Sequence, residues 1–292
     1  MAGNGNIDFF CLECYTDKSE VNTLQTEVIK IDRENMDLDA LKRAGEILKS
    51  GGLVAFPTET VYGLGGDGLH EESSRKIYEA KGRPSDNPLI VHVADMEHLE
   101  KIVKKVPKTA YKLAEAFWPG PMTMILEKND LVPYGTTGGL DTVAIRMPSD
   151  PIALELIRQG GGYIAAPSAN TSGRPSPTTA QHVYEDLQGK IPMILDGGAV
   201  TIGLESTIVD LTEEIPTILR PGFISLDMVQ AVLGEAQIDR GLIANDSNIH
   251  PKAPGMKYRH YAPKADLKIV EGPMEQVISY INEQAEKGRT GI

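Results

Sequence analysis

The chain has 292 residues, of which 41% are hydrophobic, and its 41 acidic and 29 basic residues give a net charge of −12. That apolar content is enough to bury a full core, and the acidic excess disfavours a protein that binds phosphate backbones. No stretch approaches the ~18 apolar residues of a membrane-spanning helix, and residues 1–6 lack the basic and apolar parts of a signal peptide. We therefore expect a cytoplasmic protein without a membrane partner.

The first 26 residues are polar and show no periodicity of a helix or a strand, which predicts a flexible N-terminal arm. The two cysteines of the chain, Cys11 and Cys14, lie in this arm as a single CxxC. A structural zinc site needs four ligands, and no second pair or nearby histidine completes one here. We expect a reduced pair without a function, and no metal site built from protein ligands.

Residues 27–233 alternate between strand and helix patterns and predict one α/β domain. Apolar residues recur at helical spacing over 38–50, and a continuous apolar run at 53–56 is typical of a buried strand. Further helices are predicted at 71–81, 96–103, 108–117 and 226–233, and further strands at 27–31, 89–93, 122–127, 142–147, 163–166, 193–196, 206–210 and 217–220. Several strands follow one another too closely for a helical crossover, so we predict a twisted mixed sheet with flanking helices.

Residues 234–264 lose the hydrophobic periodicity and contain three prolines, which predicts a linker. A strand at 267–270 and a helix at 274–287 are predicted to follow it. One strand and one helix cannot cover both faces of a sheet. We therefore interpret residues 265–292 as a partial βα unit, the start of a truncated second domain.

The segment Gly63-Leu64-Gly65-Gly66-Asp67-Gly68 matches the GxGxxG pattern of dinucleotide-binding loops. The acidic residue expected about 20 positions later, at the end of a second strand, has no counterpart, which argues against a dinucleotide oxidoreductase. We interpret this segment as a glycine-rich turn that needs unusual backbone angles. The chain also has no GxxxxGK[ST] segment and is not a P-loop enzyme.

Polar loop segments adjoin several predicted strands, at the positions where α/β folds present ligands. They supply cations, hydroxyl groups and one carboxamide, but no evident pair of a general acid and a general base. In chain order the segments are PTETVYGL at 57–64, KGRPSDNPL at 81–89, PSANTSG at 167–173, EST at 205–207 and LRPG at 219–222.

Over residues 28–261 these segments resemble the YrdC-like family of threonylcarbamoyl-AMP synthases. The match includes a KxR motif at 81–83, an SxN motif at 168–170 and, in order, PTETVYGL, NPLIVHV, PGPMT and STI. The segment GMKYRHYAP at 255–263 resembles the linker to a Rossmann-like second domain in the longer, two-domain members. The resemblance implies a YrdC-like α/β fold around a concave cavity lined by cations.

The reaction that this resemblance implies joins L-threonine, bicarbonate or CO2, and ATP into threonylcarbamoyl-AMP and pyrophosphate. Such an enzyme is a nucleotidyltransferase of tRNA processing. Its product would pass to a threonylcarbamoyl-transferase that makes N6-threonylcarbamoyladenosine at position 37 of tRNA. A carbamate on the amine is itself an anionic nucleophile, so its attack on phosphorus needs no general base. Catalysis then depends on positioning and on charge stabilisation.

By motif position, the resemblance implies two sets of ligands. Arg146 is the expected clamp for the threonine carboxylate, because a planar guanidinium binds a carboxylate through two donors. The threonine side as a whole consists of Thr60, His92, Arg146, Ala166 and Ser206, and the ATP side of Arg83, Asn87, Thr142, Ser168, Asn170, Ser176, Arg220 and Tyr261. Lys81 and Arg83 are the expected catalytic cations at the phosphates, and Mg2+ is expected to arrive with ATP.

Taken alone, several of these residues have a plain structural explanation. His92 lies in an apolar strand, as a core histidine does, and Arg146 could form a structural ion pair. Thr142 and Ser176 could be turn or capping hydroxyls. Two other functions also remain open: an RNA-binding module of the same fold, which the acidic charge and the 5% aromatic content disfavour, and an enzyme that adenylates another amino acid. We expect no stable binding of nucleic acid.

The linker carries basic and aromatic residues, among them Lys257, Arg259, His260 and Tyr261. A segment that only connects two domains would more simply be rich in glycine and serine, or acidic. We therefore predict that residues 234–264 fold back over the mouth of the active site and close over ATP. The alternative is a flexible tether between domains.

Overall fold

The structure is a computed structural model that describes residues 24–239 and 268–288. The strands of the first range are β1 Glu27–Lys30, β2 Val54–Phe56, β3 Gly63–Asp67, β4 Ile90–His92, β5 Met122–Glu127, β6 Thr142–Arg146, β7 Ile164–Ala165, β8 Met193–Asp196, β9 Thr207–Asp210, β10 Thr217–Arg220 and β11 Gln237–Ile238. The helices are α1 Leu38–Lys49, α2 Glu71–Lys81, α3 Met96–Ile102, α4 Lys108–Phe117, α5 Tyr134–Thr137, α6 Pro151–Gln159, α7 Ala180–Leu187, α8 Leu226–Leu233 and, in the second range, α9 Met274–Lys287.

The eleven strands of residues 24–239 form one sheet in the order β1-β8-β2-β3-β7-β4-β6-β5-β9-β10-β11. Parallel pairs such as β4 with β6 alternate with antiparallel pairs such as β5 with β6, which confirms the predicted mixed sheet with flanking helices. The last strand, β11, pairs with β10 in parallel and lies inside the range 234–264 that we predicted as a linker.

The central strands turn alternate side chains to the two faces of the sheet, as a strand period of two requires. On one face Val91, Met124 and Ile145 pack with α3, α4 and α8 in a large apolar core. On the other face, Ile90 and Ala144 belong to a small cluster. That second face is therefore thinly covered by apolar side chains, and the polar members of the same strands project from it.

Local sequence explains where most helices begin. Asp37, Asp95 and Asp150 each accept a hydrogen bond from a backbone N–H in the first turn of α1, α3 and α6. The end of α2 is set by Gly82, whose φ of 60° places it in the left-handed region. These ends matter for the site, because Lys81 and Arg83 stand on either side of Gly82.

The glycine-rich segment is a strand over Gly63–Asp67, so the turn that we predicted there is wrong, and only Gly68 lies in a turn. None of the glycines in β3 has a positive φ. Their role is to save volume: a Cβ on Gly65 would lie 2.8 Å from Cγ2 of Ile164, and one on Gly63 would lie 3.1 Å from the ring of Phe56. Glycine is needed here because neighbouring chains approach too closely for a side chain.

The structure also differs from the sequence patterns elsewhere. The helices α5, α6 and α7 were not predicted, although Asp150-Pro151 is a typical helix start. The described part of the predicted strand 267–270, residues 268–270, forms no strand, whereas the helix at 274–287 is confirmed. Residues 1–23 and 240–267, with Cys11, Cys14, Tyr261 and most of the predicted linker, lie outside the described residues.

The contact between α1 and α6 gives a test of close packing. A Cβ on Gly45 of α1 would lie 2.6 Å from the backbone carbon and oxygen of Gln159. In an open helix Gly→Ala gains about 1 kcal/mol, but here overpacking should outweigh that gain. We expect Gly45→Ala to lower the free energy of unfolding by about 1–3 kcal/mol, measured by urea denaturation.

The matched control is Glu46→Ala, the next residue on the same helix, which is exposed. It should change the free energy of unfolding by less than about 0.5 kcal/mol. A Gly45→Ala variant as stable as the wild type or more stable would show that the two helices can separate without cost.

Candidate active site

A pocket lies over the thinly covered face of the sheet, where β4, β6 and β7 meet the loop at 57–62. Ile90 and His92 line it from β4 because they lie two residues apart and point to the same face. His92 and Arg146 are aligned partners in the parallel pair of β4 and β6, which places both at the same edge of the pocket. The lining comprises Thr58, Thr60, Val61, Tyr62, Gly63, Arg83, Ile90, His92, Arg146, Ala166, Pro167, Ser168, Glu205, Ser206 and Arg220.

The structure brings together all five residues assigned by resemblance to the threonine side, namely Thr60, His92, Arg146, Ala166 and Ser206. Five separate segments of the chain contribute them, each within a strand or close to one. Ala166 follows β7, and its backbone N–H donates to the carbonyl of Ile90 at 2.8 Å. These residues therefore share one pocket, and their roles toward a ligand remain predictions.

Arg146 is held in the pocket wall by a buried ion pair. Its Nη2 donates to Oε1 of Glu59 at 2.6 Å, and the two side chains are 5% and 8% exposed. Its Nη1 donates to Oγ1 of Thr60 at 2.9 Å, and its Nε to the carbonyl of Gly120 at 3.3 Å. A guanidinium has five N–H donors. Among the described residues three of them are used, which leaves two for a ligand.

His92 is a buried, neutral imidazole. Burial lowers its pKa to about 3, and the nearby Arg146 guanidinium lowers it in the same direction. Its Nδ1 lies 3.2 Å from the carbonyl oxygen of Ile90, and its ring meets that of Phe56 edge to face. At neutral pH this ring can therefore orient a ligand but is a weak base.

Ser206 is fixed from two sides just before β9. Its Oγ lies 2.7 Å from Oγ1 of Thr123 on β5 and accepts a hydrogen bond from Nη2 of Arg220 at 3.0 Å. Arg220 also donates from Nε and Nη2 to the backbone carbonyl of Ser206, at 3.1 and 2.9 Å. The Arg220 guanidinium thus sits at the end of β10 with its orientation set by the start of β9.

Of the residues assigned to ATP, three line the pocket: Arg83, Ser168 and Arg220. Asn87 lies behind them, fully buried, and its side-chain amide has no hydrogen-bond partner among the described residues. Thr142 lies at the far end of β6, on the face of Arg146 but four residues, about 13 Å, away from it.

Lys81 does not line the pocket, although we predicted it beside the phosphates. Its Nζ donates to the backbone carbonyls of Ser168 and Asn170 and lies 3.5 Å from Oδ1 of Asn170. Burial, and then the nearby Arg83 guanidinium, hold the pKa of Lys81 well below its usual value. In this structure the lysine therefore supports the loop that carries Ser168.

Asn170 and Ser176 also support their neighbours. The Asn170 Oδ1 accepts from the Ser168 hydroxyl at 2.5 Å, and its Nδ2 donates to the carbonyl of Arg174 at 2.8 Å. The Ser176 hydroxyl donates to Oε1 of Glu205 at 2.5 Å. Tyr261 lies outside the described residues.

Sequence reasoning missed three residues of the site. Glu59 and Glu205 stand inside motifs that we quoted, PTETVYGL and EST, but a carboxylate beside a serine or a threonine gives no sign of an inward orientation. Thr123 is opposite Arg146 in the antiparallel pair of β5 and β6, and only the register of that pair reveals it.

In the part of the chain that the structure describes, no group of three or more His, Cys, Asp or Glu residues could hold a metal ion. The expectation that Mg2+ arrives with ATP remains a prediction. None of the helices within residues 24–239 and 268–288 is both long and apolar enough to cross a membrane.

Comparison with known proteins shows which family this chain belongs to. The model for the Sua5, YciO and YrdC proteins, described as Telomere recombination, matches residues 46–222, and the model for the C-terminal domain of threonylcarbamoyl-AMP synthase matches residues 224–292. Threonylcarbamoyl-AMP synthase of Pyrococcus abyssi is 52% identical over 86% of this chain and 74% of its own length. The synthase of Bacillus subtilis is 51% identical over 85% of this chain and 72% of its own length.

A solved structure agrees with these matches. The crystal structure of P. abyssi Sua5 complexed with L-threonine superposes with a TM-score of 0.85 at 51% identity, over 89% of this chain and 76% of that one. The chain belongs to the Sua5/YciO/YrdC family. More particularly, because both models match, it is of the two-domain type, and it is a nucleotidyl-transferring enzyme like the synthases to which it is similar.

The lowered pKa of His92 predicts how acid affects stability. Below about pH 6.5 the unfolded chain binds a proton at this histidine, whereas the folded chain does so only near pH 3. Stability from this residue is therefore fully present above pH 6.5 and is lost as the pH falls, by at most about 1.4 kcal/mol per pH unit. We expect His92→Gln to reduce this slope, measured by denaturant unfolding between about pH 6.5 and about pH 4.

His70→Gln is the control, because His70 is exposed at the start of α2. It should leave the pH dependence of the unfolding free energy unchanged. If His92→Gln and the wild type lose stability equally on acidification, His92 is not held neutral in the folded protein.

Proposed function

We propose that this enzyme forms threonylcarbamoyl-AMP and pyrophosphate from L-threonine, bicarbonate or CO2, and ATP. The observation that carries the proposal is the single pocket that gathers Arg146, His92 and Ser206 beside Arg83 and Arg220. The three guanidinium groups in one pocket offer planar sets of N–H donors, which suit the anionic groups of an amino acid and a nucleotide. The names of the similar synthases and the L-threonine complex of the P. abyssi protein support the same reaction.

The threonine side rests on Arg146. The ion pair with Glu59 and the hydrogen bond to Thr60 orient its guanidinium in advance, so little entropy is lost when a carboxylate binds its two remaining donors. The hydroxyls of Thr60 and Ser206 lie in the same pocket and offer hydrogen bonds to the side chain of threonine. Neutral His92 adds no charge that would compete with these contacts.

The nucleotide side rests on Arg83, Ser168 and Arg220. In the proposed step a carbamate oxygen of N-carboxythreonine attacks the α-phosphorus of ATP, the bond to the bridging oxygen breaks, and pyrophosphate leaves. The guanidinium groups of Arg83 and Arg220 would stabilise the charge that shifts to the leaving group, together with Mg2+ bound to the phosphates. Lys81 and Asn170 would keep Ser168 in place during this step.

The product is an activated acyl group, which requires an acceptor. We propose that a threonylcarbamoyl-transferase in the cytoplasm uses it to modify N6 of the adenosine at position 37 of tRNA. The chain itself need not hold tRNA, in keeping with its net charge of −12.

The direct test supplies the protein with ATP, Mg2+, labelled bicarbonate and one amino acid at a time, and separates adenylated products by chromatography. Label should enter an adenylate only with L-threonine, with release of one pyrophosphate per product. If labelled adenylate forms with another amino acid, then that amino acid is a substrate and the proposed selection of L-threonine is wrong. Absence of any adenylate, together with binding of tRNA that weakens steeply as salt rises, would favour an RNA-binding module instead.

A conservative variant tests the role of Arg146. Arg146→Lys keeps one positive charge for Glu59 but removes the planar pair of donors. We expect the dissociation constant for L-threonine to rise at least about tenfold, and that for ATP to change less than about threefold, both measured by calorimetry.

Arg158→Lys is the matched control, since Arg158 lies on the exposed side of α6 and, among the described residues, forms an ion pair with Glu155. It should bind both substrates normally. If a folded Arg146→Lys variant binds threonine and ATP equally more weakly than the wild type, Arg146 does not bind the threonine carboxylate specifically.

A further inference from the structure

Glu205 is a carboxylate of the pocket for which the proposed reaction has so far given no role. It stands directly before Ser206, is half-buried, and lines the pocket with Arg146 and Ser168. Its Oε1 accepts the hydroxyl of Ser176 at 2.5 Å. Among the described residues it forms no contact ion pair, although Arg83 and Arg220 line the same pocket.

The other groups in or behind the pocket wall that could take up a proton are already committed. Both oxygens of Glu59 are used, one by Arg146 and the other by the backbone N–H of Ser149 at 3.1 Å. His92 has its pKa lowered to about 3 and is a weak base at neutral pH. Of the described residues that line the pocket, Glu205 is therefore the one carboxylate, and one of its oxygens is not taken up by the protein.

The segment around Glu205 is held by hydrogen bonds and packing from β5, β10 and the loop after β10. Ser206 is hydrogen-bonded to Thr123 and Arg220, as described above. The loop after β10 packs directly on this segment, because a Cβ on Gly222 would lie 2.5 Å from the backbone oxygen of Glu205. With Oε1 bonded to Ser176, the second carboxylate oxygen can meet a ligand.

The chemistry of carbamate formation requires such a group. At neutral pH an amino acid enters as an ammonium ion, and only the free amine can attack carbon. With bicarbonate the overall change is R–NH3+ + HCO3− → R–NH–COO− + H2O + H+. A new N–C bond forms, a C–O bond breaks, water leaves, and one proton must be taken up.

We propose that Glu205 binds the ammonium group of the amino-acid substrate and accepts the proton released when the carbamate forms. This inference rests on the proposed function and adds the residue that prepares the nucleophile. The later attack of the carbamate on phosphorus still needs no base. The carboxylate serves twice: first as the anion that orients the ammonium, and then as the base that frees the amine.

The test uses Glu205→Gln in the full chain, because glutamine keeps the size of the side chain and an oxygen for Ser176. Calorimetry compares L-threonine with 2,3-dihydroxybutanoate, in which a hydroxyl replaces the amine. We expect the variant to bind L-threonine at least about tenfold more weakly and the hydroxyl analogue as the wild type does. Equal weakening of both ligands, or none, would overturn the proposal.

The pH dependence of turnover gives a second readout, one that a purely structural role would not move. Between about pH 6.5 and about pH 9.5 the activity deficit of Glu205→Gln should shrink, because solvent removes the proton more readily as the pH approaches the pKa of the substrate ammonium. A deficit of constant size across this range would contradict the role as a base. Glu46→Gln, an exposed residue of α1, is the control and should match the wild type at every pH.

The two proposals fail in different ways. If the wild type forms the adenylate and Glu205→Gln is equally active and binds threonine equally well, only the role of Glu205 is wrong. If the wild type binds L-threonine but makes no adenylate, the proposed reaction fails, while the binding comparison still decides whether Glu205 recognises the ammonium. A wild type that binds no amino acid would overturn both.

Discussion

The ion pair between Arg146 and Glu59 is the interaction on which the rest of the site depends. A charge buried at the end of β6 requires a partner, and Glu59 reaches it only if the loop at 57–62 lies over the sheet. The backbone of the same loop accepts hydrogen bonds from the N–H groups of Ile202 and Gly203, at 2.9 and 3.0 Å. The pair thus fixes, in turn, the loop that carries Thr60 and the segment that leads to Glu205 and Ser206.

The mixed sheet explains why a pocket can form beside these charges. Its strands give one set of alternate residues to the core under α3 and α4 and leave the other set for a ligand. Because β4 and β6 are parallel, His92 and Arg146 lie side by side at the ends of their strands. Because β5 is antiparallel to β6, Thr123, near the start of β5, lies opposite Arg146 at the end of β6. A purely parallel sheet would have carried helices on both faces, with no open face for such a pocket.

The sequence was most informative where a pattern of residues is typical of one kind of structure. The continuous apolar strands, the helix at 38–50 and the mixed sheet could be predicted from periodicity. The family motifs supplied part of the pocket lining, but Lys81, Thr142 and Ser176, also assigned from them, do not line it. The strand at 63–67 could not, since glycine signals a turn unless the neighbouring chains are known. The inward orientation of Glu205 and the burial of Lys81 were also hidden, because both depend on contacts with residues far along the chain, Ser176 and Ser168.

The glycines of β3 leave no room between the strand and its neighbours, with Ile164 on one side and Leu53 and Ile77 on the other. The space beside these glycines admits only a hydrogen atom as the side chain, so a larger residue fits only if the opposing residues become smaller. A side chain at position 65 should consequently occur among relatives only together with smaller residues at positions 164 and 56, whose side chains it would meet at 2.8 and 3.0 Å. Sequence drift in this strand is limited by volume, and it requires coordinated changes in the residues that the strand faces.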